Sequence, residues 1–450
     1  MLKSPAVPAA LLFYVIIFGF AAVFYLNVPW QRSYTMTLYL VVSVWALDAI
    51  VRRWRNARPS FNRVDFWFSV FLAQVLLSIA VNWWAGTAKY LEFMPVYFVL
   101  PYLLGRVMNL ADVIVFQRTL IWMAMALLLL MPFEFIRIAR FGLPYSNSPN
   151  PTLFAQGHGV MLSGMLLAAA FLTLVSIALR SEGQSVRCAG GFWRRYAPHL
   201  GLGLIVLVMG WIAARGPAVV AIAAMIVMFL LSPRRNLKEK TKVAFVFLIF
   251  LVLATLYAQQ NKYHSTYYQE LLRKPPTVEI SGTIAIVKEH KITSEFDPIL
   301  GRAICGTIVD SVTDRWTHYQ QALAIFRARP IFGIGANAYG FHACTGPGSF
   351  PHSTVLQVMA ELGIVGAFVY AALMISALGA LMKIEFRETQ SEGVHAIGEW
   401  AVAFFVFQFL AAQLSGDYFI SASLYFTCGL AASFRAQRES GLDNIQPCAS

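Results

Sequence analysis

Residues 351–382 read PHSTVLQVMAELGIVGAFVYAALMISALGALM, and from Thr354 to Met382 the only charged side chain is Glu361. A run of about 20 mostly apolar residues spans a bilayer as a helix, since lipid cannot satisfy an open backbone N–H or C=O. Comparable runs lie near 9–28, 35–51, 64–84, 91–105, 113–132, 156–179, 199–214, 217–231, 243–260, 400–415 and 418–434. The expected fold is an all-α polytopic membrane protein of about twelve transmembrane helices. The first run follows Lys3 and shows no cleavage site before a polar domain, so it reads as a retained helix.

Composition agrees. The 450 residues are 58% hydrophobic and 13% charged, with a mean hydropathy of +0.62. A soluble domain carries about 25% charged residues. That excludes a soluble enzyme with a buried core, a disordered chain and a disulfide-framed secreted module. The chain is nonetheless basic, with 35 Lys+Arg against 22 Asp+Glu and a formal charge of +13.

Alternate loops hold most of those cations: Arg52, Arg53, Arg55, Arg58 and Arg63, then Arg106, Arg180, Arg187, Arg194, Arg195, Arg234, Arg235, Lys238, Lys240, Lys242, Lys383, Arg387, Arg435 and Arg438. By the positive-inside rule these loops and both termini are cytoplasmic. The predicted organisation is helices 1–9 over residues 1–260, a large external loop over 261–353, helices 10–12 over 354–434 and a cytoplasmic tail over 435–450. The loop carries Lys262, Arg273, Lys274, Lys288, Lys291, Arg302, Arg315, Arg327 and Arg329. So basic a stretch on the external side suggests an anionic ligand.

Cys305 and Cys344 share that loop. An oxidising compartment favours their pairing, and a bridge closing about 40 residues would contribute roughly 3–4 kcal/mol in the chain-entropy model. Two unrelated thiols are the alternative.

Phosphate-binding NTPase loops and zinc motifs are absent, so neither a nucleotide nor a metal site is expected. The glycines of Gly333-Ile-Gly-Ala-Asn-Ala-Tyr-Gly340 lack dinucleotide-loop spacing and read as a sharp turn. Just before it, residues 314–329 form the clearest helix of the loop. Trp316, Tyr319, Leu323 and Phe326 recur at helical spacing, Asp314 lies at the start and Pro330 ends it. Such a helix would lie flat on the bundle or at headgroup level, with Arg315 at a fixed height.

His352 precedes Ser353 and Thr354, natural caps of the next helix. Desolvation and the helix dipole favour a neutral imidazole there, able to accept a proton from a hydroxyl; a hydrogen bond to headgroups or backbone is the alternative. Arg215, in Trp211-Ile-Ala-Ala-Arg-Gly-Pro217, lies between two apolar runs on the external side. It suits an anion in a cavity, or it snorkels to the interface. Asp417, in Ser415-Gly-Asp-Tyr418, sits at a helix mouth and by itself reads as a cap.

The string Arg315-x-x-x-Tyr319, Pro330-Ile-Phe-Gly-Ile-Gly335 and His352-x-x-x-x-Gln357-x-x-x-Glu361-x-Gly363-Ile-Val-Gly366 resembles the signature of the O-antigen ligase and polymerase superfamily. These are integral membrane glycosyltransferases with about twelve helices and one large periplasmic loop before the last three. Within it the chain is most similar to the ligase branch, which joins O-antigen polysaccharide to lipid A–core. The resemblance implies a Gram-negative inner-membrane enzyme of lipopolysaccharide maturation whose donor is an undecaprenyl diphosphate-linked glycan. It implies no cofactor, metal, nucleotide or nucleic acid. Arg215 and Arg315 would hold the diphosphate, His352 would be the general base on the acceptor hydroxyl, and Asp417 would support the site. Arg327 and Arg329 could meet phosphates of lipid A–core. Many members have His-Asn where this chain has His352-Ser353, and serine can still cap a helix. Polymerases and protein O-oligosaccharyltransferases share the loop signature. A sugar transporter is the reading from another class, but no repeated halves are visible.

Overall fold

The structure is a computed structural model, and it describes residues 4–14, 32–56, 60–81, 91, 94–141, 157–180, 191–211, 215–232, 237–260, 312–342, 350–385, 392–415, 417–418 and 421–439. Among the described residues every regular element is helical, as the apolar runs require. The elements are α1 (6–14), α2 (Arg32–Asn56), α3 (Arg63–Val81), α4 (Leu100–Arg106), α5 (Leu110–Phe141), α6 (Gly157–Arg180) and α7 (Gly191–Trp211). They continue with α8 (Arg215–Leu231), α9 (Leu237–Gln260), α10 (Val312–Ala328), the single turn α11 (Tyr339–His342), α12 (Thr354–Glu385), α13 (Glu392–Ser415) and α14 (Ala422–Glu439). A π turn, Pro95–Val99, leads into α4.

Among the described residues four stretches are long and apolar enough to cross a membrane: Arg63–Val81, Leu110–Leu130, Thr354–Lys383 and His395–Leu414. Ser163–Leu179, Ala197–Met209 and Gly216–Leu231 are apolar but shorter. Many exposed side chains of α2, α3, α5, α9 and α12 are large and apolar, among them Leu77, Trp122, Phe245 and Phe368. Such surfaces suit hydrocarbon, where an apolar side chain costs nothing to leave uncovered. The chain is accordingly a membrane protein.

Two helices start with the same local device. Asn62 Oδ1 accepts the Val64 N–H at 2.9 Å, and Asp65 Oδ2 accepts the Asn62 N–H at 2.9 Å, capping α3 reciprocally. Asn109 and Asp112 repeat the exchange at α5, at 3.0 and 2.9 Å. Both carboxylates also bind arginine. Asp65 accepts from Arg106 Nε at 2.8 Å and from Tyr102 Oη at 2.7 Å, with Arg106 buried, and Asp112 pairs with Arg53. Two arginines of the expected cytoplasmic set are therefore taken up by structural ion pairs.

The core lies where α3, α4, α12, α13 and α14 meet. α4 and α14 touch backbone to backbone: a Cβ on Gly105 would stand 2.1 Å from Phe426 O, and one on Gly429 would stand 2.0 Å from Tyr102 O. Trp400 stacks on Phe404 beside Phe116, and Phe68 stacks on Tyr102. These rings tie α13 to α5 and α3 to α4, while α12, α13 and α14 pack directly on one another, which positions the ends that carry the site.

One expectation needs correction. Residues 354–382 read as a single helix, but Gly363 has φ 67° and ψ −163°, and α12 is broken there. The loop after α10 fills the break. In an unbroken helix Ile364 and Val365 would donate to Ala360 and Glu361. Here the Ile364 N–H donates to Pro330 O at 2.7 Å and the Val365 N–H to Ile331 O at 3.4 Å. The two freed carbonyls accept from the same loop, Ala360 O from Ile334 N–H at 3.1 Å and Glu361 O from Gly335 N–H at 2.9 Å. The break thus leaves none of these four backbone groups unsatisfied, as an apolar setting demands.

Candidate functional site

The loop 330–338 is built for this insertion. Gly333, Gly335 and Asn337 all have positive φ, at 69°, 105° and 62°, so the expected sharp turn is present. A Cβ on Gly333 would meet Glu361 C at 2.3 Å, and only glycine lets the two backbones approach so closely. Ser78 of α3 steadies the loop from the other side, its Oγ accepting the Ala336 N–H at 3.0 Å.

Glu361 then organises the surroundings from the α12 side. Its buried carboxylate accepts the Asn337 N–H at 2.8 Å, the Tyr339 N–H at 3.2 Å and the Tyr418 hydroxyl at 2.9 Å. Asp417 is buried close enough to interact with it electrostatically. Gln357, one turn earlier, accepts the Tyr418 N–H through Oε1 at 3.3 Å. The signature positions Gln357, Glu361 and Gly363 therefore join the loop, the α13–α14 connection and α12.

Ser353 is the N-cap of α12: its Oγ accepts the Leu356 N–H at 3.4 Å and donates to Gln413 Oε1 at 3.1 Å. Gln413 also takes the Val355 N–H at 3.1 Å and donates to Thr354 Oγ1 at 2.6 Å. The last turn of α13 is thereby bound to the first turn of α12. Serine serves here as the resemblance allowed.

His352 stands immediately before this cap, half-buried, with φ 56°. A left-handed conformation costs a residue with a Cβ about 1–2 kcal/mol, so the fold holds the ring here against a local preference. Its imidazole lies 4.8 Å from the Phe350 ring and 5.8 Å from that of His318, between centroids. His318 in turn meets Tyr339, Nδ1 to hydroxyl at 2.9 Å. Burial first, and then the Glu361 charge, push the Tyr339 hydroxyl well above its ordinary pKa, so it remains a proton donor.

The predicted residues fall unevenly around this centre. Arg315 is exposed on α10, one turn before His318, and so shares the neighbourhood of His352. Arg327 and Arg329 are exposed at the far end of α10, with Arg327 about 18 Å along the axis from Arg315. The backbone of Arg215 opens α8 beside the end of α13, where a Cβ on Gly216 would lie 4.0 Å from Leu414 Cδ1. Leu414 follows the Gln413 that grips Ser353, which brings Arg215 and His352 to one end of the bundle. Asp417 is buried, and its carbonyl accepts from Ser421 Oγ at 2.8 Å. Cys305 and Cys344 lie outside the described residues.

The α10 face also differs from the spacing argument. Ala322 and Ile325 are the buried side chains, packed with Ile334, Tyr339 and Ala360, while Trp316 is 63% exposed and Tyr319, Leu323 and Phe326 are half-buried. Ala322 and Ile325 form the side of α10 that meets the loop and α12, and Trp316 turns outward. His318, Tyr339, Gln413 and Tyr418 were not singled out from the sequence. Only the matched signature hinted at Glu361, without a role.

This geometry places a histidine, a carboxylate pair and arginine-bearing helix ends at one end of an apolar bundle. Among the described residues no group of His, Cys, Asp and Glu is arranged to hold a metal ion. No curated protein matches the chain significantly. Residues 200–371 match the family model Wzy_C, described as O-antigen ligase. That span contains α8, all of α10, the inserted loop, His352 and the break at Gly363, and it is this part of the chain that is similar to the O-antigen ligase family.

Proposed function

We propose that this protein is an O-antigen ligase, transferring polysaccharide from undecaprenyl diphosphate to lipid A–core at the periplasmic face of the inner membrane. In this topology both termini are cytoplasmic, and residues 261–353 form the periplasmic loop between the ninth and tenth of about twelve spans. The observation that carries the reading is His352: half-buried, held at positive φ beside the capped start of α12, with Arg315 one turn from the His318 it touches.

The chemistry follows from those groups. The acceptor hydroxyl oxygen attacks the anomeric carbon of the donor glycan, the bond from that carbon to the diphosphate oxygen breaks, and undecaprenyl diphosphate leaves with the bonding pair. His352, as neutral imidazole, takes the hydroxyl proton. Arg215 and Arg315 present planar donor forks to the diphosphate and offset the charge growing on the leaving oxygen, so the step is metal-independent. Asp417, beside Glu361, helps fix the wall that carries Tyr418. Arg327 and Arg329, exposed and distant from Arg315, suit phosphates of the acceptor.

The test supplies reconstituted full-length protein with a lipid-linked oligosaccharide and three acceptors separately: lipid A–core, a second lipid-linked repeat and a pilin-like polypeptide. Glycosylated lipid A–core is expected. Product on the second repeat would make the protein a polymerase, and product on the polypeptide a protein O-oligosaccharyltransferase. Movement of the donor across the membrane without a new glycosidic bond would make it a transporter.

A further inference from the structure

The Tyr339 hydroxyl has one proton and three neighbours: His318 O at 3.1 Å, Gln321 Oε1 at 3.3 Å and His318 Nδ1 at 2.9 Å. The first two are oxygens that only accept. The hydroxyl proton therefore lies on their side, and the third bond forms with His318 Nδ1–H as donor. That leaves Nε2 as the proton-accepting nitrogen of His318. Tyr339 is itself fixed, because its backbone N–H is held by Glu361 at 3.2 Å.

His318 meets His352 with ring centroids 5.8 Å apart and planes at 71°, while Phe350 meets His352 at 4.8 Å and 61°. The two rings confine the plane of the His352 imidazole. Two imidazoles this close resist carrying charge together, since each proton raises the cost of the next. Among the described residues, the ionisable groups on the elements that meet here include Arg315 and Tyr319 on α10, Tyr339 and His342 on α11, Glu361 on α12 and Asp417 with Tyr418 from the α13–α14 connection. Glu361 is occupied by two N–H groups and the Tyr418 hydroxyl, and it reaches His318 only through Tyr339.

We propose that His318 is a positioning residue for His352: with Phe350 it fixes the plane of that ring, and, because the N-terminus of α12 opposes a positive charge on His352, His318 takes the first proton as the pH falls and keeps His352 in the proton-accepting form. This rests on the proposed base role of His352 and adds a residue to it. Arg315 on the same helix as His318 serves the diphosphate, so one face of α10 would set both the donor phosphates and the protonation of the base.

The experiment is a pH titration of the histidine side chains by NMR, on full-length ¹⁵N-histidine-labelled protein in detergent, with His318→Phe and His318→Asn assigning the signals. In the wild type His318 should show the Nδ1–H tautomer. In both variants the midpoint of His352 should rise by about one pH unit, the scale of a unit charge at this separation in an intermediate dielectric. The acid limb of kcat should rise with it, and kcat should fall about tenfold with the donor KM little changed. Phenylalanine keeps a ring against His352 and asparagine keeps a donor toward Tyr339, so one variant covers a folding failure of the other. A wild-type His318 in the Nε2–H form, or a His352 midpoint unmoved in a folded variant, overturns the proposal. The titration needs no turnover, whereas the base role fails separately, if His352→Ala still transfers glycan.

Discussion

Gly363 lies against Ile331 so closely that a Cβ on it would stand 2.2 Å from the Ile331 carbonyl oxygen. The contact exists because the helix ladder is opened at Gly363 and the loop after α10 supplies the missing partners.

Gly363→Ala should therefore fail twice, once against Ile331 and once against its own φ of 67°. With ψ at −163° this is a region essentially reserved for glycine, a term of about 1–3 kcal/mol by itself, and the backbone clash adds to it. Gly379→Ala in the same helix, with nothing within 4 Å of its added methyl, should stabilise by up to about 1 kcal/mol through helix propensity. Thermal unfolding of both variants in detergent checks the pair, and equal melting temperatures would contradict the account of the break.

Glu361→Ala leaves the Asn337 and Tyr339 N–H groups and the Tyr418 hydroxyl without their acceptor. At about 1–3 kcal/mol for each buried unsatisfied group, the variant should lose most of its folded protein. Tyr418→Phe, which removes a single bond, should cost about 1–2 kcal/mol. The monodisperse yield after solubilisation, with melting temperature, reads the difference.

Arg106→Met strands Asp65 in a buried setting, whereas Arg106→Met with Asp65→Leu removes both charges. The single change should destabilise by about 3–5 kcal/mol, and the double change by less. A double variant as unstable as the single one would show that the Asp65 cap on α3 matters more than the pair.

His352→Ala should abolish transfer while the protein still inserts and melts as a folded unit, because the ring precedes the cap and lies outside the ladder. Near-normal transfer by that variant would remove the base assignment. Arg215→Lys should lower kcat/KM about tenfold or more, since a point charge cannot replace a planar fork. Activity equal to wild type would mean that Arg215 serves only as an interfacial anchor.

Several local features were legible in the chain. The helices of the apolar runs, the turn at Gly333–Gly340, the end of α10 at Pro330 and the cap at Ser353 all rest on local chemistry: propensity, the missing N–H of proline and the hydroxyl of serine. The signature also marked Gln357, Glu361 and Gly363 as a group. Their parts were hidden, because each acts on residues distant in sequence. Glu361 binds Asn337 and Tyr418, and Gly363 meets Ile331. The α10 face was misjudged for a related reason. Spacing identifies which side chains share a face, but which face is buried is set by Ile334, Tyr339 and Ala360, which pack on Ala322 and Ile325.

The sequence by itself determined an apolar, helical membrane chain with its cations gathered in loops, since hydropathy and charge act residue by residue. Only the tertiary structure decided that α12 is broken, that the 330–335 loop completes it, and that His318, Tyr339 and His352 share one corner. The physical reason is hydrogen-bond satisfaction in an apolar setting. An open ladder is tolerated only where another segment supplies the missing donors and acceptors, and no local pattern says which segment that will be.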